Sequence, residues 1–509
     1  MADNKSQAHD KQVLHKLGYA QELARRMSGF SNFAISFSII CILAGGITTF
    51  PVALSAGGGF SVAIGWFVGG LMAMSVALGM GQIASAFPTA GGLYHWSSHL
   101  GGKAWGWATA WLNLLGLVFV VSSVDVGVYL LFKDLFLATA LGVDVSSWGA
   151  THQLISVLVI LVTQGLFNHY GIEITTKLTD FSGYLIFVVA AVLVIALLAF
   201  APEPLDFSRL TTFTNYTGDP GGGVFPRTES LAFAFLLGLL FVCYTLTGYD
   251  ASAHTSEETK DAQVNVPKGM RQAVFWSWTS GLIMVATFVL AMPSVDEAAA
   301  TGWGSFYYTL GESNMPSFLL IFLAAGIVIA NYLCALAGLT STSRMMYAFA
   351  RDGGLPASKT LSHVSTQYRT PTYAIWVSVV IAWASTIYAG AFVVLATACA
   401  VFLYLSYVMP IAAGFLAEGK TWNEKGPFNL GAYSKINAVI AVLVGIVLAI
   451  TGFFPPNEKV FYLTVVMVVV MVVLWYGFER NRFEGVPEGE KIKERQKMIA
   501  DIEKKYGEQ

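Results

Sequence analysis

Charge is what this chain has least of. Asp, Glu, Lys and Arg make up 12% of its 509 residues, about half the share in soluble domains. A water-facing surface over most of the chain is thereby excluded. The net charge of −2 leaves no basic footprint for a nucleic-acid partner. Cysteine is scarce too. Cys41, Cys243, Cys334 and Cys399 stand in apolar runs without paired spacing, which excludes a disulfide framework or zinc site and marks them as small buried residues. The eight histidines, His254 among them, fall outside the centres of the apolar runs, so an enzyme with its catalytic groups inside a membrane is not expected. His95 and His99 lack a neighbouring carboxylate or cysteine and are expected to be a satisfied loop pair, not metal ligands. No cofactor motif is present, and no apolar segment with a cleavage site precedes residue 29, so no removable signal peptide is expected.

What the chain has in excess is long apolar runs. They fall at roughly 30–54, 60–86, 104–133, 151–168, 174–201, 230–253, 271–292, 317–349, 372–389, 391–416, 434–454 and 458–478. Each is long enough for a transmembrane helix, about 20 residues, and the uncharged pair between 372 and 416 divides around Gly390. An all-α integral membrane protein with twelve transmembrane helices is expected. With both ends in the cytoplasm, 25 of the 29 Lys and Arg residues fall inside; only Lys133, Arg209, Arg227 and Lys459 fall outside. That asymmetry is the positive-inside pattern.

Two runs contain material unsuited to the middle of a helix. In the first, Leu43-Ala44-Gly45-Gly46-Ile47-Thr48-Thr49-Phe50-Pro51 combines paired glycines, paired threonines and a proline. In the sixth, Cys243-Tyr244-Thr245-Leu246-Thr247-Gly248-Tyr249-Asp250-Ala251-Ser252 interrupts a Leu/Phe-rich segment. A helix broken inside a bilayer exposes free N–H groups at one half-end and free C=O groups at the other. Together these suit a small molecule carrying both a carboxylate and an amine, and paired breaks in corresponding segments point to a central transport site. Ser256-Glu257-Glu258-Thr259-Lys260 follows as a segment expected to have left the membrane.

Three further stretches carry a family likeness. Leu17-Gly18-Tyr19-Ala20-Gln21-Glu22-Leu23 leads into Met27-Ser28-Gly29-Phe30-Ser31-Asn32-Phe33-Ala34 and Ser36-Phe37-Ser38-Ile39-Ile40. Phe87-Pro88-Thr89-Ala90-Gly91-Gly92-Leu93-Tyr94-His95-Trp96 follows the second run. Ser343-Arg344-Met345-Met346-Tyr347-Ala348-Phe349-Ala350-Arg351-Asp352-Gly353-Gly354-Leu355-Pro356 ends the eighth. The chain resembles the amino acid/choline transporter branch of the amino acid–polyamine–organocation superfamily. The resemblance implies a five-plus-five inverted repeat of the leucine-transporter type with two added C-terminal helices. The expected layout is a cytoplasmic tail 1–29, a first repeat 30–201, an extracellular loop 202–229, a second repeat 230–416, helices 11 and 12 over 417–478, and a cytoplasmic tail 479–509.

Carried over residue by residue, Ala44-Gly45-Gly46 stands where many relatives have Gly-Ser-Gly, Tyr244 where they place an aromatic lid, and Asp250 where they have an acid after glycine. Substrate contacts are expected from Ala44, Gly45, Gly46, Ile47, Thr48, Tyr244, Thr245 and Thr247. Asp250 and Asp125 are the candidates for carrying a proton, Asp250 at the edge of the site and Asp125 with Ser122 and Ser123 available to satisfy it. Relatives that carry a lysine midway along span 5 differ from this chain, which has none between Asp180 and Leu198. The expected partners are a zwitterionic amino acid, a proton before sodium, and the lipid of a plasma membrane. Choline, polyamines, amino acid exchange and a binding-only sensor remain alternatives, although tails of about 29 residues are too short for a signalling domain with its own core.

Overall fold

A computed structural model describes residues 2–388 and 392–505. The expected division at Gly390 lies outside the described residues. Those described form helices and connecting turns, with no strand among them. After α1 (Ala2–Lys16) come α2 (Gly29–Ile39), the single turn α3 (Gly45–Thr48) and the long α4 (Phe50–Ala86). Then follow α5 (Leu93–Gly101), α6 (Lys103–Leu130, continued as a π-helical stretch to Ala140), α7 (Ala150–His169), α8 (Ile172–Ala199), α9 (Leu231–Thr245) and α10 (Ala251–His254). The second half holds α11 (Ala262–Ala291), α12 (Val295–Ala300), α13 (Ser305–Gly311), α14 (Ser317–Arg351), α15 (Ser358–Leu361), α16 (Thr372–Tyr388) and α17 (Phe392–Ala417). The chain closes with α18 (Ser434–Thr451), α19 (Glu458–Leu474), α20 (Arg480–Arg482) and α21 (Glu490–Lys504).

Among the described residues nine helices are long and apolar enough to cross a membrane, and Leu231–Thr245 and Thr372–Ile387 are shorter apolar helices. Large apolar side chains such as Ile155, Val159, Phe318, Val466 and Tyr476 lie on the outside. In water such a surface would be an aggregation hazard; in a bilayer it is the lipid contact. Inside, α4 packs on α11 and α9, while α6 packs on α17 and α14. The helix named α4 holds two directions: Gly57 and Gly58 leave helical geometry, with Gly58 at φ +63°. That corner falls between the first two apolar runs.

The chain ends are structured. Asp10 of α1 accepts the N–H groups of Asp261 (2.8 Å) and Ala262 (3.1 Å) at the start of α11. Helix α21 docks on α1. Its Glu503 accepts from Gln21 N–H (2.9 Å) and pairs with His15 (2.8 Å). Both ends therefore lie on one face, called here the terminal face. On the opposite side the loop 202–229 folds down over the bundle. Val224 and Phe225 are buried, Arg209 donates to the Met292 carbonyl (2.5 Å), and Tyr216 hydrogen-bonds Asp296.

Candidate substrate site

The first break is where its residues predict. Helix α2 ends at Ile39, the chain leaves helical geometry, and Ala44 (φ −95°, ψ −83°) starts the next turn. Pro51 sits in the first turn of α4, where its missing N–H costs nothing. No backbone carbonyl among the described residues accepts from the N–H groups of Ile42, Leu43 or Gly46, and the Leu43 N–H turns to the Cys41 thiol. The freed carbonyls fare differently. Cys334 donates to Ile39 O (3.2 Å) and Asn331 to Leu43 O (2.9 Å), both from α14.

The second break follows Thr245, the last residue of α9. Gly248 takes φ +92°, a conformation that favours glycine, and its N–H donates to Tyr407 Oη (3.0 Å). The carbonyls of Thr245 and Leu246 accept no hydrogen bond among the described residues. The two breaks lie against each other. A Cβ on Gly45 would stand 2.8 Å from Thr245 Oγ1 and 2.9 Å from its Cα, and one on Gly248 would stand 2.1 Å from Ile39 Cγ2. Below the breaks, α2 and α10 are bonded side by side. Asn32 donates to Ser252 O (3.0 Å), Ser252 Oγ to Asn32 O (2.8 Å) and Ser36 Oγ to Tyr249 O (2.9 Å).

A small cavity lies between the breaks. Of the expected residues, Ala44, Gly45, Tyr244, Thr245 and Thr247 line it. Gly46, Ile47 and Thr48 do not: a Cβ on Gly46 would face Met284 (3.1 Å) and Trp66, Ile47 is buried in packing, and Thr48 Oγ1 turns back to Ala44 O (2.9 Å). Sequence reasoning missed the remaining wall: Ile39, Val120, Val124, Cys334 and Cys399. The space left is about 10 Å³, what one water needs, so the site is closed. Tyr244 separates it from an apolar vestibule lined by Val224, Phe225, Leu240 and Trp303 under the folded loop. Its hydroxyl pairs with Ser123 Oγ (3.0 Å) and its ring meets Phe392 edge-on at 6.1 Å.

Asp250 was expected at the edge of the site, partly in water. It is fully buried and outside the cavity wall. Tyr407 Oη donates to its Oδ1 (2.7 Å) and Asn113 to its Oδ2 (3.1 Å), with His254 Nε2 at 3.0 Å from the same Oδ2. His254, just past the end of the sixth apolar run, is completely buried. Asp125 is also buried, but Ser122 and Ser123 do not serve it. Ser122 bonds Val118 O and α16, Ser123 bonds Tyr244, and Asp125 accepts from Gln164 of α7 (2.9 Å), leaving Oδ2 without a partner. His95 and His99 lie edge to face at 4.4 Å, and neither nitrogen of the buried His95 has a hydrogen-bond partner among the described residues.

Glu257 and Glu258, in the segment expected to have left the membrane, are fully buried at the terminal face. Arg344 grips Glu258 with two bonds of 3.1 Å, and Arg351 grips Glu257 at 3.0 and 3.1 Å. A buried carboxylate is tolerable only with such a fork-shaped partner. Met27 N–H donates to Glu258 O (2.8 Å), and Arg25 donates to Ser256 O (3.3 Å). Asp352 collects Tyr19 Oη (2.7 Å), Tyr94 Oη (3.1 Å) and Arg495 (3.0 Å). Burial and then the Asp352 charge push the Tyr19 phenol up, which keeps it a donor. The resembled motifs at the N-terminus, after the second run and at the end of the eighth meet here, on the segment that follows α10.

Adjacent interrupted helices around a closed, mostly apolar cavity, inside a bundle with an apolar exterior, define a multi-pass membrane carrier of small solutes. Comparison with known proteins makes the class specific. Residues 27–476 match the amino acid permease family, and the chain belongs to that family. It is 33% identical over 501 residues to amino-acid permease BAT1 of Arabidopsis thaliana, covering 93% of this chain and 95% of the relative. A homologue of that permease in Oryza sativa subsp. japonica is 34% identical over 436 residues, 82% of each chain. The GABA-specific permease of Saccharomyces cerevisiae is 28% identical over 391 residues, 73% of this chain and 65% of the relative. The protein is a transporter and not an enzyme.

Proposed function

We propose that the protein is a proton-coupled secondary transporter that imports small zwitterionic amino acids, 4-aminobutyrate-like molecules among them, by alternating access at the cavity between the two breaks. The carrying observation is the pair of breaks itself: the chain leaves helical geometry between Ile39 and Gly45 and again after Thr245, and Ala44, Gly45, Thr245 and Thr247 from the two breaks line one cavity. The first break favours a carboxylate and the second an amine. Tyr244, between cavity and vestibule, is the outer lid. Choline and polyamines are the weaker reading, since neither Asp250 nor Asp125 lines the cavity to balance a cation without a carboxylate.

Twelve spans follow if the broken α2–α3 segment and the shorter helices Leu231–Thr245 and Thr372–Ile387 cross alongside the nine long ones. Supporting an even number is the contact of both chain ends on one face through His15 and Glu503. In this reading 30–201 and 230–416 are inverted repeats, 417–478 adds helices 11 and 12, and the membrane is the plasma membrane. The charge asymmetry along the sequence puts the terminal face in the cytoplasm.

Two observations favour a proton over sodium. The carbonyls of Ile39 and Leu43, which a cation at the first break would use, already accept from Cys334 and Asn331. The hydroxyls of Ser341, Thr342 and Ser343 donate back to their own helix, and that of Thr340 is shared between Asn168 Oδ1 of α7 and Leu336 O. The Asp250–His254 contact at 3.0 Å is the place where a proton can be held and passed; Asp125, with one partner, is the second candidate. The test is uptake into proteoliposomes under an inward proton gradient, with and without sodium, for wild type and Asp250→Asn. Uptake that requires sodium and ignores pH overturns proton coupling. Proton-driven uptake that survives in Asp250→Asn removes Asp250 from the proton path.

A further inference from the structure

We infer that the site selects α-amino acids with small, uncharged side chains over ω-amino acids and over amino acids with cationic side chains, and that Val120, Val124, Cys334 and Cys399 set that limit. The inference rests on the transport reading above and narrows its substrate class.

The first part concerns distance between the poles. Gly45 and Thr245 are so close that even a methyl group on Gly45 would lie within 2.9 Å of the opposing backbone. Gly45, where the second half of the first broken helix starts, and Thr245, where the first half of the second ends, are therefore neighbours in one cavity wall. A ligand that engages both must carry its carboxylate and its ammonium on one carbon. An ω-amino acid with three methylenes between these groups reaches only one pole or folds back on itself, and a buried charge left without its partner costs several kcal/mol.

The second part concerns the third wall. Val120 and Val124 are one turn apart on α6, Cys334 comes from α14 and Cys399 from α17. Each is at least nine-tenths buried, and none can neutralise a charge. Cys334 is held in place by its bond to Ile39 O (3.2 Å). Neither intramembrane acid lines the cavity: Asp250 is held by Tyr407, Asn113 and His254, and Asp125 accepts from Gln164 through Oδ1, its Oδ2 having no partner among the described residues. A lysine or arginine side chain would enter this wall with its charge unmatched, whereas a methyl or hydroxymethyl group would not. Branched and aromatic side chains would meet four small or β-branched residues on three different helices, with no flexible long side chain among them to yield.

The experiment is uptake of radiolabelled L-alanine, L-serine, L-leucine, L-lysine and 4-aminobutyrate by the full-length protein in proteoliposomes. Alanine and serine are expected to exceed 4-aminobutyrate and lysine in kcat/KM by at least tenfold, the order seen when a pocket misfits its ligand. Val124→Ala and Cys399→Ala should each raise the leucine-to-alanine ratio, and Val124→Leu should lower it. Alkylation of Cys399 in the wild-type protein, followed by mass spectrometry, supplies a readout that does not depend on any variant folding. Alanine should protect that thiol at concentrations where 4-aminobutyrate does not. Preference for 4-aminobutyrate or lysine overturns this inference and leaves transport standing. Ratios unchanged in both enlarging variants, or equal protection by the two ligands, overturn it as well. If no amino acid accumulates, the transport reading falls and takes this one with it.

Discussion

Replacing Gly248 by alanine tests the contact on which the site depends. Two penalties add. At φ +92° an L side chain costs about 1–2 kcal/mol relative to glycine. The new Cβ would also lie 2.1 Å from Ile39 Cγ2 and 2.9 Å from Ile39 Cβ, so α2 and the second break must separate. Overpacking of that kind costs about 1–3 kcal/mol. The sum, roughly 2–5 kcal/mol, disfavours the closed arrangement by about thirtyfold or more, since each 1.4 kcal/mol is tenfold. Thermal unfolding of the purified protein in detergent reads the loss, and uptake should fall with it. The double variant Ile39→Ala/Gly248→Ala separates the terms. Ile39→Ala removes Cγ2, so against an Ile39→Ala background the same glycine change should cost about 1–3 kcal/mol less, the backbone part persisting. Wild-type stability and uptake in Gly248→Ala would refute the reasoning, as would an undiminished penalty in the double variant, since the steric term would then be absent.

Gly45→Ala should abolish uptake, because its neighbour is Thr245 backbone at 2.9 Å; Gly46→Ala should retain most of it, because the flexible end of Met284 at 3.1 Å can move. Glu258→Gln, which leaves Arg344 buried without its counter-charge, should lower stability by about 3–5 kcal/mol in detergent melts; a loss below 0.5 kcal/mol, roughly that of a surface pair, would argue against the buried pairing. Burial holds the His99 imidazole down to about 4, against a slight lift from Asp352. The folded protein therefore resists a proton that the unfolded chain takes at its ordinary 6.5. Stability should fall as pH drops from 6.5 towards 4, by about 3 kcal/mol from His99, and His99→Phe, stacking on Phe87 in the same place, should make that slope shallower, the part from the neighbouring His95 remaining. Tyr244→Ala should weaken apparent affinity far more than Tyr244→Phe, which keeps the ring and loses only the bond to Ser123.

The breaks were legible because they are local anomalies. Gly45-Gly46 with Pro51, and Thr247-Gly248 with Asp250, stand out against apolar runs whose other residues favour helix. Asn113 could be read as a hydrogen-bonding link between helices, and it joins Asp250 to Ser406. What stayed hidden depends on distant partners. The ion pairs of Glu257 and Glu258 could not be read, because Arg351 and Arg344 lie 94 and 86 residues away. The contact of His254 with Asp250 went unread because the sixth apolar run ends beside it. Val120, Val124, Cys334 and Cys399 carry no signature at all, since one apolar residue on a buried helix looks like any other until the helices are placed. The same holds for Gly45 and Gly46, identical in sequence and facing opposite ways.

Helix α21 has a consequence for how the protein is made. Asp352 waits 143 residues for Arg495, and the Gln21 N–H waits 482 residues for Glu503. Both partners emerge from the ribosome after the last apolar helix. At about 5–20 residues per second, Arg495 follows Asp352 by roughly 7–30 s. During that interval the helices of the bundle can insert and find one another while their terminal face still lacks its final fastening. Until α21 emerges, the terminal face lacks both the ion pair on Asp352 and the acceptor for the Gln21 N–H, so the order of synthesis sets the order in which that face is fastened.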